Sequence, residues 1–178
     1  MSRKAEQARG DRLSSTTGLA LWMSYTSRPM FEVVIFTGIQ AAGKSSLFRE
    51  RFFDTHVRIN LDMLRTRHRE RTLFEACLAG KASMVIDNTN LTRELRSRYI
   101  APARQHGFRV IGYYFRSQVA ESVARNAGRS EQQQVPERAI TRAASSLEIP
   151  SLSEGFDELF YVRLGDGFVI EPWNEDAL

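Results

Sequence analysis

The chain has 178 residues, of which 42% are hydrophobic and 26% are charged, a mixture typical of a soluble globular protein. This length suits one domain, and no apolar run reaches the roughly 18 residues that a membrane-spanning helix requires. The net charge is +4, with eight arginines and only two glutamates in residues 93–129, which favours a phosphate-handling surface over a general nucleic-acid coat. A single cysteine, Cys77, excludes an internal disulfide and favours a reducing, cytoplasmic location.

Residues 1–29 differ from the rest of the chain because they are rich in Ser, Thr, Gly and Arg. Their one apolar stretch, residues 18–23, is shorter than the core of a signal peptide. We therefore expect a mobile N-terminal extension at residues 1–29 and one domain at residues 30–178. Met30 opens the first well-patterned segment, so it is an alternative start of translation.

From residue 31 onward, strand-like and helix-like segments alternate. The first apolar, β-branched run is typical of a strand buried on both faces, and Thr92 is placed to cap a helix that Gly107 ends. The pattern predicts an α/β fold in three αβα layers, with a mainly parallel five-stranded sheet. The predicted strands are 31–38, 56–60, 83–87, 108–115 and 158–164, and the predicted helices are 44–53, 62–80, 93–106, 117–127 and 136–147.

The segment between the first strand and the first helix matches the pattern G-x-x-x-x-G-K-[ST] at every fixed position. Its glycines allow N–H groups to turn toward phosphates, and the following helix presents its positive dipole end to the same anion. Lys44 can reach the terminal phosphates of ATP, and the Ser45 hydroxyl can bind Mg²⁺. The sequence therefore predicts a P-loop NTPase fold with a nucleotide site at Gly38, Ile39, Gln40, Ala41, Ala42, Gly43, Lys44, Ser45 and Ser46.

Two aspartates follow strands at the sheet edge where α/β proteins bind ligands. Asp62 can accept the proton of an attacking hydroxyl, and Arg65, one helical turn further on, can hold an anion beside it. Asp87 ends a strand and resembles the second magnesium ligand of phosphate-loop enzymes. A helix cap at Asp62 and a plain turn at residues 87–90 are the alternative interpretations.

Two further arginines, Arg125 and Arg129, lie at the end of a predicted helix, before a polar segment and Pro136. Arginines on a mobile segment can close over a triphosphate and stabilise the charge in transfer. A solvated helix end also favours basic residues, which is the alternative interpretation.

The segments GIQAAGKS (38–45), INLDMLR (59–65), IDNTNLT (86–92) and RNAGR (125–129), taken together, resemble the 5′-hydroxyl polynucleotide kinases of phages and animals. Order and spacing also match, and the resemblance spans about residues 35–165. The resemblance implies Asp62 as the general base, Arg65 at the acceptor, and Asp87 as a site carboxylate. It also implies Lys44 and Ser45 at the ATP phosphates and Mg²⁺, with Arg125 and Arg129 as lid arginines.

We therefore predict a magnesium-dependent ATP kinase whose acceptor is the 5′-hydroxyl of a polynucleotide, with no membrane partner. The N-K-x-D segment of GTPases and the Asp-x-Asp signature of the phosphatase module that often accompanies these kinases are both absent. One alternative is a small-molecule kinase acting on a metabolite, a nucleoside or, like the zeta-toxin-like kinases, a nucleotide sugar. Another is an ATP-binding regulator without transfer activity. The sequence does not indicate an oligomeric state.

Overall fold

The computed structural model describes residues 31–174 of the chain. The predicted extension at residues 1–29 lies outside the described residues, as do Met30 and residues 175–178 at the two ends of the predicted domain.

Within these residues, six strands form one sheet: β1 (Glu32–Thr37), β2 (Val57–Ile59), β3 (Met84–Ile86), β4 (Arg109–Phe115), β5 (Glu158–Leu164) and β6 (Phe168–Pro172). The strand order is β2-β3-β1-β4-β5-β6. The first five strands pair in parallel, and β6 pairs antiparallel with β5. The predicted α/β fold with a mainly parallel sheet is thereby confirmed.

Six helices connect the strands: α1 (Lys44–Arg51), α2 (Leu61–Leu64), α3 (Arg67–Ala79), α4 (Arg93–Gln105), α5 (Val119–Ala127) and α6 (Glu137–Ser145). Short 3₁₀ turns lie at Glu131–Gln133 and Leu152–Glu154. The predicted cap of α4 is confirmed, because the Thr92 hydroxyl accepts a hydrogen bond from the Leu95 N–H at 3.2 Å. Each helix in residues 31–174 is too short or too polar to traverse a lipid bilayer.

The core lies on both faces of the sheet because successive residues of a strand point to opposite sides. Val33 and Ile35 pack with residues of α3 and α4 on one face. Val34 and Phe36 pack with residues of α1 on the other. This packing produces the predicted three layers and turns the carboxyl ends of β1, β2 and β3 toward one edge.

The prediction of five strands is wrong by one, because residues 168–172 form the additional strand β6. The turn Gly165-Asp166-Gly167 reverses the chain, and Leu164 then pairs with Phe168. A Gly-rich turn of three residues between two β-prone runs is a hairpin signal that the sequence analysis did not use.

The predicted continuous helix at 62–80 is also wrong, because it is divided into α2 and α3. Arg65 ends α2 with a φ of +72°, which a continuing helix does not allow. The Thr66 hydroxyl then accepts from the Arg69 N–H at 3.2 Å and begins α3. Local capping therefore competes successfully with continuation of the helix, and it gives α2 its own orientation at the sheet edge.

Candidate active site

The phosphate loop joins β1 to α1, and its two glycines are required by close approach as well as by conformation. Gly43 has a φ of +99°, and a Cβ atom there would lie 3.2 Å from the Phe168 ring and 3.3 Å from Leu164. A Cβ on Gly38 would lie 3.0 Å from the Phe115 Cβ. Larger residues at either position would therefore displace the loop from the strands that support it.

Lys44 folds back over the phosphate loop. Its Nζ donates hydrogen bonds to the carbonyl oxygens of Gly38 at 2.9 Å and Ile39 at 2.6 Å. Burial lowers the pKa of Lys44 to about 8, although the Asp87 carboxylate acts in the opposite direction. The ammonium group thus lies within the loop in an environment that favours the entry of an anion.

Ser45 and Asp87 lie side by side, as the predicted metal site requires. The Ser45 hydroxyl donates to Asp87 Oδ2 at 2.9 Å. Asp87 is 1% exposed, and its other oxygen, Oδ1, is buried without a hydrogen-bond partner among the described residues. A hydroxyl, a carboxylate and one unpartnered buried oxygen fit the oxygen-ligand preference of Mg²⁺.

Arg58 on β2 belongs to the same cluster, although the sequence analysis gave it no role. Its Nε donates to Asp87 Oδ2 at 2.9 Å, and its Nη2 donates to Ser45 Oγ at 2.9 Å. The guanidinium carbon lies 5.3 Å from the centre of the Phe48 ring. The signal that could have identified Arg58 is a charged residue within a short strand, just before the sheet edge where the predicted ligand site lies.

A cleft of about 150 Å³ opens at the phosphate loop. It unites most of the predicted catalytic and binding groups, including Lys44, Ser45, Asp62, Asp87 and Arg129. Asp62 is exposed in the first turn of α2, and Arg129 is half-buried. The remaining lining residues are Gln40, Ala41, Ala42, Gly43, Asn60, Asn88, Thr89, Gln133 and Val135.

Five predicted site residues, Arg125 included, lie outside the wall of this cleft. The Gly38 and Ile39 carbonyls hold Lys44 from behind, and Ser46 is exposed in the first turn of α1. Arg65 is exposed at the end of α2. Its role at the acceptor stays a prediction.

Arg125 contacts the phosphate loop from the side of α5. Its Nε donates to the Ala41 carbonyl at 2.8 Å, and its Nη1 pairs with Glu121 at 3.4 Å. Arg125 therefore supports the loop backbone here, while Arg129 faces the cleft. The role of either arginine as a lid residue stays a prediction.

Two asparagines, both unassigned as site residues by the sequence analysis, fasten α2 beside the cleft. Asn60 Oδ1 accepts from the Met63 N–H at 3.0 Å, and its amide donates to the Asp87 carbonyl. Asn88 Oδ1 accepts from the Leu61 N–H at 2.8 Å, and its amide donates to Glu70. These bonds fix the short helix that carries Asp62 to the end of β3.

A second cavity, of about 410 Å³, lies between α3 and α4, and we refer to it as the basic cavity. Glu70 is 3% exposed and accepts from Arg67 at 2.8 Å. Burial, together with the Glu70 carboxylate, raises the pKa of Tyr99 to about 12. Because Asn88 lines the cleft and donates to Glu70, one hydrogen-bonded pair separates the two cavities. The lining residues are Arg67, His68, Glu70, Arg71, Phe74, Arg98 and Tyr99.

Comparison with known proteins gives a family and a curated relative. Residues 33–150 match the family AAA_33, described as an AAA domain. Over 131 residues the chain is 30% identical to the bifunctional polynucleotide phosphatase/kinase of Schizosaccharomyces pombe, a match that covers 70% of this chain and 32% of that protein. The chain therefore spans about a third of the length of this relative.

Two solved structures share the fold. A chain of the Pnkp1/Rnl/Hen1 RNA repair complex superposes with a TM-score of 0.60 at 20% identity, covering 87% of this chain and 53% of that one. A gluconokinase from Sinorhizobium meliloti 1021 superposes with a TM-score of 0.54 at 16% identity, covering 78% of this chain and 85% of that one. Both likenesses support the predicted P-loop NTPase fold.

Proposed function

Since the chain belongs to the AAA_33 family of AAA domains, we propose that it is an ATP-dependent kinase that phosphorylates the 5′-hydroxyl end of a polynucleotide. The observation that carries this proposal is the adjacency of two cavities. The cleft holds the phosphate-loop residues and Asp62, and the larger basic cavity begins on the other side of the bond from Asn88 to Glu70. Phosphoryl transfer requires a donor site and an acceptor site in such proximity.

On the donor side, the residues of the cleft would bind the phosphates of ATP. Lys44 would exchange its two carbonyl partners for the terminal phosphates, a stronger charge-assisted contact. Ser45 and Asp87 would hold Mg²⁺, which when bound neutralises charge on the β- and γ-phosphates. Arg129, which also lines the cleft, would contact the transferring group, and Arg125 would keep the loop backbone in place.

On the acceptor side, Asp62 would accept the proton of the hydroxyl group as its oxygen attacks the γ-phosphorus and ADP leaves. Its exposed position in the cleft gives it access to a second substrate. Asn60 and Asn88 would keep the carboxylate in position, because their side chains accept from the first N–H groups of α2. The position of the general base Asp62 would thus depend on hydrogen bonds to residues outside α2.

The basic cavity favours an anionic acceptor such as a nucleic acid. Arg71 and Arg98 are 70% and 53% exposed, and their ion-pair partners Glu75 and Glu94 are 65% and 80% exposed. Surface ion pairs of this kind contribute about 0.2–1 kcal/mol, so a phosphodiester can readily replace the carboxylates. The name of the S. pombe relative supports the same acceptor class.

A small-molecule kinase is the second candidate, and the match to gluconokinase favours it. The chain covers 85% of that protein but only 32% of the bifunctional relative. A compact kinase of this type would place a small hydroxyl compound beside Asp62 and would not need the arginines of the basic cavity.

A transfer assay with γ-labelled ATP and Mg²⁺ distinguishes these functions. The acceptors would be 5′-hydroxyl oligonucleotides of DNA and RNA, matched 5′-phosphorylated oligonucleotides, nucleosides and sugars including gluconate. We expect label only on 5′-hydroxyl oligonucleotides. Label on a sugar or nucleoside alone would identify a small-molecule kinase. ATP binding without transfer to any acceptor would favour the regulator.

A further inference from the structure

Arg58 contacts two of the oxygen atoms of the predicted metal site. The guanidinium donates to Asp87 Oδ2 through Nε at 2.9 Å and to Ser45 Oγ through Nη2 at 2.9 Å. Ser45 also donates to Asp87 Oδ2, so this oxygen already accepts bonds from two side chains. Two of the oxygens that would bind a divalent cation, Ser45 Oγ and Asp87 Oδ2, are thus occupied by a cation of the chain itself, whereas Asp87 Oδ1 has no hydrogen-bond partner among the described residues.

The burial of Asp87 explains why a counter-ion is needed. Its carboxylate is 1% exposed, and an isolated buried charge is strongly unfavourable unless it is paired. Arg58 supplies that pair from the edge strand β2, and its side chain is 25% exposed, so it has a route to solvent. The Phe48 ring, 5.3 Å from the guanidinium carbon, supports the side chain in its inward position.

We propose that Arg58 is a displaceable counter-ion that competes with the divalent cation for Ser45 and Asp87. The inference rests on the proposed metal role of these two residues. In the free protein Arg58 stabilises the Asp87 carboxylate, and it leaves these oxygens when a divalent cation binds. Arg58 therefore weakens cation binding to the protein without nucleotide, and Arg58 is a positioning residue for the metal ligands.

The test measures binding of Mn²⁺, a spectroscopic substitute for Mg²⁺, to the nucleotide-free full chain. The variant Arg58→Met keeps an unbranched apolar side chain against Phe48 and removes the charge. Coupling between two binding events typically changes affinity by about 5- to 150-fold, so we expect Arg58→Met to bind Mn²⁺ at least about fivefold more tightly than the parent. Arg58→Lys keeps a positive charge, so its Mn²⁺ affinity should lie between the affinities of the parent and of Arg58→Met.

Thermal unfolding provides a second measurement that a merely structural role would not reproduce. Without metal, Arg58→Met should unfold at a lower temperature than the parent, because the Asp87 carboxylate loses its counter-ion. Added Mn²⁺ should then raise the unfolding temperature of the variant more than that of the parent. The matched control is Arg163→Met, a strand arginine paired with Glu171, which should leave the Mn²⁺ affinity unchanged.

Equal or weaker Mn²⁺ binding by Arg58→Met would overturn the proposal, as would a loss of stability that Mn²⁺ does not reverse. If neither protein binds Mn²⁺ with or without ATP, the counter-ion proposal also fails. Labelled transfer by the parent would show separately whether the kinase function stands.

Discussion

The donor and acceptor sides of the cleft are built in different ways. The central part of the donor side is one continuous segment, residues 38–45, in which backbone groups and Lys44 surround the phosphate position, and Asp87 joins it from the end of β3. The acceptor side is assembled from β2, α2, the end of β3 and α3, which side-chain hydrogen bonds hold together. Donor binding therefore depends mainly on the conformation of one segment, whereas acceptor positioning depends mainly on tertiary contacts.

This difference predicts that substitutions on the two sides affect different steps. Donor-side changes should reduce ATP affinity together with turnover. Acceptor-side changes should leave ATP affinity intact and reduce transfer or acceptor affinity. The following four measurements would sharpen this distinction or remove it.

The largest effect is expected for Asp62→Asn. The amide keeps the size of the side chain but cannot accept the acceptor proton, so transfer should fall by about 10²–10⁴-fold. ATP affinity in the presence of Mg²⁺ should remain within about twofold of the parent, because Asp62 has no proposed donor role. Asp87→Asn is the contrasting variant and should weaken Mg²⁺-dependent ATP binding as well. Transfer by Asp62→Asn at the parental rate would mean that Asp62 is only a residue of the first turn of α2.

The second largest effect is expected for Lys44→Ala. Removal of a group that stabilises charge in the transition state typically costs about 10²–10³-fold in turnover, and ATP binding should weaken in parallel. Steady-state transfer and ATP titration would measure the two losses. The exposed Lys81 provides a control, because it lies in the turn between α3 and β3, outside the wall of the cleft, and Lys81→Ala should change neither ATP affinity nor turnover. Turnover of Lys44→Ala within twofold of the parent would contradict the donor site.

A smaller effect is expected for the double variant Arg71→Gln/Arg98→Gln. A charge-assisted hydrogen bond contributes about 1.5–3 kcal/mol, and we expect the two solvent-screened contacts together to equal about one such bond, so their loss should raise the KM for an oligonucleotide by about 10- to 100-fold. The KM for ATP should not change. Arg163→Gln, outside both cavities, is the control. An unchanged oligonucleotide KM would exclude the basic cavity from acceptor binding.

The smallest effect concerns pH and follows from the pKa of Lys44, which burial lowers to about 8 in the free protein. Bound phosphate raises that pKa again, so ATP binding takes up a proton above about pH 8 and weakens as the pH rises. ATP affinity in EDTA should therefore fall by about tenfold between pH 7 and pH 9. Lys44→Ala should show a flat profile over this range. If the ATP affinity of the parent is equally independent of pH, a phosphate contact by Lys44 is contradicted.

The place of the phosphate loop between β1 and α1 could be predicted because its motif lies within eight consecutive residues. The elements around it were also predictable, since strand burial and helix capping leave local patterns such as Thr92 before α4. The break between α2 and α3 was missed although Thr66 carries a capping signal. Residues 62–79 contain no Gly or Pro, so the sequence shows no helix breaker at this point.

The contacts of the acceptor side and of the metal ligand Asp87 could not be predicted in the same way because they join residues that are distant in sequence. Arg58 acquires its partner Asp87 only when β2 and β3 pair through the register that aligns Ile59 with Ile86. Glu70 meets Asn88 only after α3 packs beneath the end of β3. A single sequence contains each residue but not the pairings, which arise from the sheet order.

The contact of Gly43 with Phe168 and Leu164 has a consequence for the order in which the protein matures during synthesis. The eight-residue motif leaves the ribosome early, but the hairpin of β5 and β6 that supports it is made much later. A nascent chain that ends before β6 contains the whole phosphate-loop motif but lacks Phe168, which packs beside Gly43. Nucleotide binding should therefore be acquired late in translation, after the C-terminal hairpin has emerged and paired.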